Sequence, residues 1–193
     1  MSHKPIEIKE NRTNDVTNLF CKCFVNDHYY IEMFPQSQSE RDRYEKMHST
    51  FYDGINYCLK EGHCVGAVDK SLIAYLLCFD YQKCIESPGS FCDVFGWNYS
   101  EALPYLHEVH DPIKALQGKT MYVLSIAVLP EYRRQGIASK MLDHIIKANR
   151  DCNIVADVSN EKTLPMYEKR GFKITKIKDR YYLVIKEAKH ATT

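Results

Sequence analysis

The chain has 193 residues, of which 45% are hydrophobic and 26% are charged, and its formal net charge at pH 7 is +1. These are the values of an ordinary globular chain that is long enough to bury a substantial core, and we expect a single domain over residues 1–193. The near-zero charge argues against nucleic acid and against an anionic membrane as partners.

The N-terminal residues MSHKPIEIKEN contain no apolar segment of the kind that a signal peptide needs, and no apolar run is long enough to span a bilayer. We therefore expect a cytoplasmic protein with no membrane partner. None of the eight cysteines forms a C-x-x-C pair, so the sequence favours reduced thiols over disulfides or a metal site. The sequence is compatible with a monomer or a homodimer.

Hydrophobic periodicity divides the first part of the chain into an edge strand, two helices and a hairpin. The second helix is expected to begin with a capping box formed by Ser37 and Glu40 and to end at Gly62. The aromatic-rich stretch NDHYYIEMFPQSQ at 26–38 is predicted to be a loop. The predicted elements are a strand at 6–8, helices at 14–24 and 39–61, and strands at 63–68 and 71–79.

Residues 80–118 are the least regular part of the chain. They contain several prolines and glycines, and a short helix is expected near 100–110. Connections of this length are usually functional or disordered. We interpret the segment as an insertion, and the alternatives that stay open are a surface elaboration and a dimer contact.

The stretch 121–150, MYVLSIAVLPEYRRQGIASKMLDHIIKANR, carries the most information. Residues 121–129 are nearly all apolar and predict a buried central strand, which Pro130 ends because proline cannot donate to the ladder. A helix is predicted at 136–150, with Ile137 and Met141 on its apolar face. The remaining predicted elements are strands at 153–159, 172–177 and 180–185, a helix at 161–170 that ends at Gly171, and a polar tail from residue 187.

The turn between this strand and this helix has the composition of a phosphate site. It places backbone N–H groups, one glycine and two arginines at a helix N-terminus, where the helix dipole is positive. It lacks the three glycines of a dinucleotide fingerprint and the lysine-serine or lysine-threonine pair of a nucleotide P-loop. Taken alone, these residues are explained as well by a charged turn in some other α/β domain.

Residues 133–138, Arg-Arg-Gln-Gly-Ile-Ala, resemble the Q/R-x-x-G-x-G/A signature of the GCN5-related N-acetyltransferase (GNAT) superfamily. The V-x-P-E-Y sequence at 128–132 resembles the family's lead-in to that signature. Residues 160–172, NEKTLPMYEKRGF, resemble the family's second motif, which has an asparagine, a helix with a tyrosine, and then Gly-Phe. Two motifs in the family's order are more specific than either one, and the resemblance covers about residues 121–177.

The resemblance implies an α/β (α+β) fold in which helices flank a mixed, mostly antiparallel central sheet with a splayed central strand pair. It implies acetyl-CoA as the acyl donor and an amine of a small molecule or a peptide as the acceptor, and the insertion at 80–118 would cover the acceptor side of the cleft. The spacing of the cysteines and histidines leads us to expect no metal. The pantetheine arm would pair with the main chain of Ile126, Ala127 and Val128, where an N–H group could also stabilise an oxyanion. The pyrophosphate would be held by the residues of the turn, namely Arg133, Arg134, Gln135, Gly136, Ile137, Ala138 and Ser139.

The resemblance also implies roles for two residues of the second motif. Tyr167 is the expected general acid beside the cofactor, because a phenol is protonated at neutral pH and can donate to the departing CoA thiolate. A packing tyrosine is the simpler interpretation. Asn160 matches the asparagine that contacts the cofactor arm, and it is also a candidate N-cap.

The general base is not identified by the sequence. Ser125 lies near the expected reaction point, where a small packing residue is an equally good interpretation. We expect an acetyl-CoA-dependent N-acetyltransferase that works by direct transfer in a ternary complex; the alternative is a non-catalytic acyl-CoA-binding or regulatory module on the same fold. The candidate bases, chosen by region alone, are His28, Glu32, His107, Glu108, His110 and Asp111.

Overall fold

The computed structural model describes residues 4–85, 108–178 and 181–188. Within this part of the chain, seven strands form one sheet in the order β1-β2-β3-β4-β5-β7-β6. The strands are β1 (Ile6–Glu7), β2 (His63–Asp69), β3 (Ser71–Asp80), β4 (Thr120–Val128), β5 (Asn153–Val158), β6 (Lys173–Lys178) and β7 (Tyr181–Lys186). The helices are α1 (Thr13–Phe24), α2 (His28–Met33), α3 (Glu40–Glu61), α4 (Tyr81–Ile85), α5 (108–114), α6 (Ile137–Ala148) and α7 (Leu164–Glu168).

The sheet is mixed, and most of its pairings are antiparallel. Strand β1 pairs antiparallel with β2, and β7 pairs antiparallel with both β5 and β6. Strands β4 and β5 run parallel, as expected for strands that are joined by a crossover helix. This arrangement confirms the predicted fold class.

The chain packs into two compact units. The first contains the described residues 4–77 and 125–142, and the second contains 78–85, 108–124, 143–178 and 181–188. Strands β3 and β4 and helix α6 each contribute residues to both units. The single domain over 1–193 and the role of its insertion at 80–118 stay predictions.

The core of the first unit is built around aromatic contacts among α1, α2 and α3. The ring of Phe20 in α1 lies 5.0 Å from that of Phe51 in α3 and 5.3 Å from that of Tyr30 in α2. The ring of Phe34, which follows α2, lies 6.3 Å from Phe51. These edge-on contacts are the geometry that aromatic pairs prefer, and they give Tyr30 and Phe34 a packing role.

Two expectations for the first unit are wrong. The stretch 26–38 is not all loop, because it contains α2, which Asp27 caps by accepting a hydrogen bond from the Tyr29 N–H at 3.0 Å. The N-cap of α3 is Ser39 rather than Ser37, and its hydroxyl accepts from the Asp42 N–H at 3.1 Å. Helix α2 has 6 residues, which is too short to produce a clear apolar periodicity.

The core of the second unit contains a stack of four rings from β3, α4, α5 and β4. The ring of Tyr122 lies 5.4 Å from Phe79 and 6.0 Å from Tyr81. His110 lies 5.4 Å from Tyr81, and its Nδ1 atom is 2.6 Å from the Tyr81 hydroxyl. The planes of these contacting rings are within 28° of parallel, so the four rings form one aromatic cluster, which we call the ring stack.

The second unit also differs from the expected boundaries. The helix expected at 161–170 is a 3-10 turn at Glu161–Thr163 followed by α7, because Pro165 suits the first turn of an α-helix and not its interior. Gly171 follows with a φ of 74°, as expected for the residue after a helix. Helices α4 and α5 occupy the two described ends of 80–118. Residues 100–107, 179–180 and 189–193, on which other expectations fall, lie outside the described residues.

Candidate functional site

The central strand enters the predicted phosphate turn along a path fixed by hydrogen bonds. After β4, the Leu129 N–H donates to the Ile73 carbonyl of β3 at 2.9 Å. A 3-10 turn at Pro130–Tyr132 follows, and the Tyr132 hydroxyl donates to the Asp69 carboxylate at 3.0 Å. The start of the turn is therefore attached to the β2–β3 hairpin of the first unit.

Two residues of the turn have left-handed backbone conformations. The φ angles are 61° at Arg134 and 75° at Gly136. For a residue other than glycine this conformation costs roughly 1–2 kcal/mol. Arg134 therefore has an unfavourable backbone conformation in the turn. The preceding Arg133 is tied back to the strand, because its Nε donates to the Val128 carbonyl at 3.0 Å. Successive main-chain N–H groups in such turns form a concave anion site.

Helix α6 begins directly after this turn. Its first residue, Ile137, is only 3% exposed and Met141 is fully buried, so the apolar face anchors the helix. Residues 133–136 are all exposed. The main-chain N–H groups of the first helical turn lack carbonyl partners within the helix and lie at the positive end of its dipole.

There is open space at the centre of the turn. A Cβ atom built on Gly136 would meet no atom within 4 Å, so the main chain can be approached closely from outside. Exposed N–H donors, a positive helix end and the Arg134 guanidinium together suit a pyrophosphate group. The turn therefore fits the phosphate role that the sequence predicts for it.

The second half of β4 carries the segment that was expected to pair with a pantetheine arm. Ala127 is buried, whereas Ile126 and Val128 are partly exposed. The Ser125 hydroxyl donates to the hydroxyl of Tyr75 at 3.1 Å, and Tyr75 is fully buried. Burial raises the pKa of Tyr75 well above its usual value. Ser125 therefore satisfies a buried phenol, which supports its interpretation as a packing residue.

The parallel ladder between β4 and β5 is short. Among the described residues it covers three pairs, from Thr120 opposite Asn153 to Tyr122 opposite Val155. Strand β5 continues to Val158, and it pairs with β7 along that whole length. The early end of the ladder agrees with the splayed strand pair that the resemblance implies.

Tyr122 and Asp157 are candidate functional residues that the sequence reasoning missed. The Tyr122 hydroxyl donates to Asp157 Oδ1. Asp157 lies on the same face of β5 as Val155, the ladder partner of Tyr122, because side chains two residues apart in a strand point to one face. The available signal is a carboxylate in the otherwise apolar strand sequence IVADV.

Tyr167 and Asn160 have clear local environments in the second unit. Tyr167 is 5% exposed, and its ring packs edge-on against Phe172 at 5.3 Å. Burial, and then the negative charge of Asp157, raise the pKa of the Tyr167 phenol. Asn160 is exposed, and its side chain accepts a hydrogen bond from the Lys162 N–H at 3.1 Å. Asn160 is therefore an N-cap, and its cofactor contact stays a prediction.

The structure separates the candidate bases that were chosen by region. In the first unit, His28 Nε2 lies 2.8 Å from Glu32 Oε1, and both side chains are more than half exposed. In the second unit, His110 belongs to the ring stack, and the exposed Asp111 carboxylate lies 3.8 Å from Lys114 Nζ. Glu108 is exposed, and His107 lies outside the described residues. Nothing in these arrangements favours one of the six as the base.

The fold and the turn define a class of protein, in which a mixed α/β sheet presents an anion-binding turn at the start of a helix. The chain belongs to the Acetyltransferase (GNAT) family, whose sequence model matches residues 14–172. The family resemblance that was stated from the two motifs is therefore confirmed.

Individual relatives resemble parts of the chain or its fold. N-alpha-acetyltransferase 50 of Danio rerio is 37% identical over 76 residues, which are 36% of this chain and 45% of that protein, so the chain matches less than half of the relative's length. Drosophila melanogaster polyamine N acetyltransferase has a similar fold, with a TM-score of 0.64, 8% identity, and coverage of 96% of this chain and 100% of that one. Arabidopsis thaliana Naa50, in complex with the bisubstrate analogue CoA-Ac-MVNAL, has a TM-score of 0.53, 17% identity, and coverage of 96% and 97%.

The described residues show neither a metal cluster nor a membrane-spanning helix. Residues 4–85, 108–178 and 181–188 contain no group of three or more His, Cys, Asp or Glu side chains placed to hold a metal ion. No helix in the same ranges has the length and apolar content needed to cross a bilayer.

Proposed function

We propose that this protein is an acetyl-CoA-dependent N-acetyltransferase that transfers the acetyl group directly to an amine in a ternary complex. The observation that carries the proposal is the exposed turn at Arg134 and Gly136, whose backbone suits a pyrophosphate. The names of the relatives support it, because one is an N-alpha-acetyltransferase and another is bound to a CoA-containing analogue. The acceptor is a small amine or a peptide N-terminus, the two kinds of acceptor that the relatives' names include.

In this proposal the turn and β4 hold the donor by their main chain. The N–H groups of residues 134–139 and the Arg134 guanidinium bind the pyrophosphate. Residues 126–128 present main-chain groups to the pantetheine arm, and an N–H there stabilises the oxyanion that forms during transfer. Acetyl-CoA supplies the activated thioester, and the protein supplies orientation and charge stabilisation.

Tyr167 acts as the general acid. As the acceptor nitrogen forms a bond to the thioester carbon and the C–S bond breaks, the departing thiolate takes the phenolic proton. A phenol is protonated at neutral pH, so the residue is in the donating form. The products are the N-acetylated amine and CoA, and the proton that the amine nitrogen loses replaces the one that Tyr167 donates.

Thermal unfolding with and without acetyl-CoA tests binding at the turn. A ligand at 100 times its Kd stabilises the folded state by about 2.7 kcal/mol, so the parent protein should melt at a higher temperature when acetyl-CoA is present. Gly136→Glu should abolish the shift, because the new carboxylate occupies the open space and repels phosphate. Gly118→Glu is the matched control, since Gly118 has a φ of 82° and equally open surroundings but lies outside the turn.

The Gly118→Glu control distinguishes backbone strain from loss of acetyl-CoA binding. Both variants should melt at lower temperature than the parent, because glutamate is strained at these φ angles, but only Gly118→Glu should retain the acetyl-CoA shift. A parent protein that shows no shift at saturating acetyl-CoA contradicts the proposal.

A second measurement separates an enzyme from a non-catalytic acyl-CoA-binding module. Release of CoA thiol is followed with agmatine and with the peptide MVNAL as acceptors. An enzyme should acetylate at least one of them, and Tyr167→Phe should reduce the rate by about 100-fold or more, the usual effect of a general acid, while the acetyl-CoA shift persists. Binding without turnover with either acceptor indicates the non-catalytic module.

A further inference from the structure

We infer that Asp157, positioned by Tyr122, is the general base that accepts the proton lost by the acceptor amine. This inference rests on the proposed acetyl transfer, and it assigns the base that the sequence left unidentified. The argument uses the contacts of residues in the second unit alone.

The hydrogen bond between Tyr122 and Asp157 lies where the main-chain ladder of β4 and β5 ends. Tyr122 and Val155 are the last pair of the described ladder, and Asp157 is the next residue on the same face of β5. Beyond that pair, the Tyr122 hydroxyl reaches along the strand to Asp157 Oδ1. The bond therefore ties the carboxylate to β4 just before the strand continues toward the segment proposed to bind the acyl donor.

The Tyr122 side chain is rigid, so it can hold the carboxylate in one orientation. Tyr122 is 3% exposed. Its ring stacks against Phe79, Tyr81 and His110, at 5.4, 6.0 and 6.2 Å between centroids. Because rings from three elements pack against the buried Tyr122 ring, its hydroxyl is held in place and can orient the carboxylate through the hydrogen bond.

Asp157 is accessible, whereas the rest of its strand is not. In β5, which the structure describes in full, Asp157 is partly exposed and each of the other residues is buried. A general base must be reachable by its substrate, and partial exposure leaves Asp157 reachable while its neighbours in the strand are not. Leu183 stands opposite Asp157 on β7, and the titratable groups that act on Asp157 from β4 and α7 are the Tyr122 and Tyr167 phenols.

The proton balance of the transfer links Asp157 to Tyr167. The neutral amine forms the C–N bond, its nitrogen becomes acidic, and the proton passes to the Asp157 carboxylate. The C–S bond breaks, and the Tyr167 phenol protonates the thiolate. One proton must then move from Asp157 to the Tyr167 phenolate to restore the site, and the partial exposure of Asp157 lets that proton pass through solvent.

The test compares the acetylation rate of Asp157→Asn with that of the parent, with agmatine and MVNAL as acceptors. Asparagine keeps an oxygen that can accept the Tyr122 hydrogen bond, so the fold and the acetyl-CoA shift should persist. The rate should fall by about 100-fold or more, as is typical for loss of a general base.

Asp157→Ala and Tyr122→Phe supply readouts that a purely structural role would not change. Formate, added as a small carboxylate base, should restore part of the rate of Asp157→Ala. Tyr122→Phe should lower kcat and leave the KM for acetyl-CoA unchanged, because it frees the carboxylate without removing it. Tyr182→Phe and Glu161→Gln are matched controls: they break another tyrosine–carboxylate hydrogen bond of the second unit, 2.8 Å long and exposed, and should keep the parent rate.

The outcomes distinguish this inference from the proposed function. A parent that neither binds acetyl-CoA nor acetylates either acceptor contradicts both. An active parent whose Asp157→Asn variant keeps its rate overturns the assignment of Asp157 and leaves the proposed function standing.

Discussion

Asn153 and Thr120 face each other at the first pair of the β4–β5 ladder, and both are buried polar residues. Asn153 Nδ2 donates to the Gln117 carbonyl at 2.8 Å and to Thr120 Oγ1 at 3.3 Å. Asn153 Oδ1 accepts from the Ala188 N–H at 2.9 Å. One amide thereby connects the start of β4, the start of β5 and the segment after β7.

This network predicts that Asn153→Ala destabilises the protein by about 2 kcal/mol, because it leaves buried hydrogen-bonding groups without a partner. Urea unfolding of the parent and the variant measures the difference. Asn149→Ala is the control: its side chain makes one hydrogen bond, to the Ile145 carbonyl at 3.0 Å, and it is only half-buried, so its effect should be smaller. If both variants lose the same free energy of unfolding, the buried network contributes no more to stability than a single half-buried hydrogen bond.

The two arginines of the turn should differ in their effects on ligand binding. Arg133 is bound to the Val128 carbonyl, whereas Arg134 is exposed in a left-handed conformation next to the proposed phosphate position. Arg134→Gln should weaken acetyl-CoA binding about 10-fold, a loss of about 1.4 kcal/mol, and leave the binding of acetyl-pantetheine, which lacks the pyrophosphate, unchanged. Arg133→Gln should chiefly lower the melting temperature. Calorimetric titration measures the affinity of each variant for acetyl-CoA and for acetyl-pantetheine. If Arg134→Gln loses the same affinity for both ligands, Arg134 does not contact the phosphates.

Gly66 in β2 should not tolerate a side chain. A Cβ atom there would lie 2.8 Å from Leu72 Cδ1 and 2.9 Å from both the Ala74 carbonyl oxygen and Ile8 Cγ1. The leucine can move, but the carbonyl of the neighbouring strand cannot, so Gly66→Ala should cost about 1–3 kcal/mol. Val68→Ala, at an exposed position of the same strand, is the control for chemical denaturation. Wild-type stability of Gly66→Ala would mean that β2 and β3 are farther apart than described.

The buried thiol of Cys78 should resist alkylation. Burial raises its pKa to about 12, so at pH 8 it remains a thiol, and the thiolate is the reactive form. Cys152 is partly exposed and should be labelled much faster by iodoacetamide in the folded protein. Mass spectrometry of the labelled peptides checks this, and equal labelling of both would contradict the burial of Cys78.

The same pKa has a consequence for stability. The folded-state pKa of Cys78 lies above the value of about 8.5 for an unfolded thiol. Its contribution to the free energy of unfolding is therefore complete below about pH 8.5 and is lost as the pH rises toward 12. Cys78→Ala should make the alkaline decline of stability less steep, which urea unfolding between pH 8 and 10 can measure.

Elements with strong local signals were predicted well. Pro130 ends the central strand, Gly136 precedes the helix that starts at Ile137, and both boundaries follow from backbone restrictions of single residues. Helix α2 was missed, because six residues show no periodicity and its cap at Asp27 was not recognised. The helix at 161–170 was predicted too long because the effect of Pro165 was overlooked.

The amino-acid sequence by itself determined the family, the strand–turn–helix unit and the position of Gly136, since these depend on residues that are neighbours in the chain. The tertiary structure decided that Tyr122 contacts Asp157 and that Asn153 contacts Thr120. In each pair, one residue is in β4 and the other is in β5, and helix α6 separates the two strands in the sequence. The register between the strands therefore decides which residues meet. A shift of one residue in that register would turn the side chains to the opposite face, and for this reason local sequence patterns could not reveal either pair.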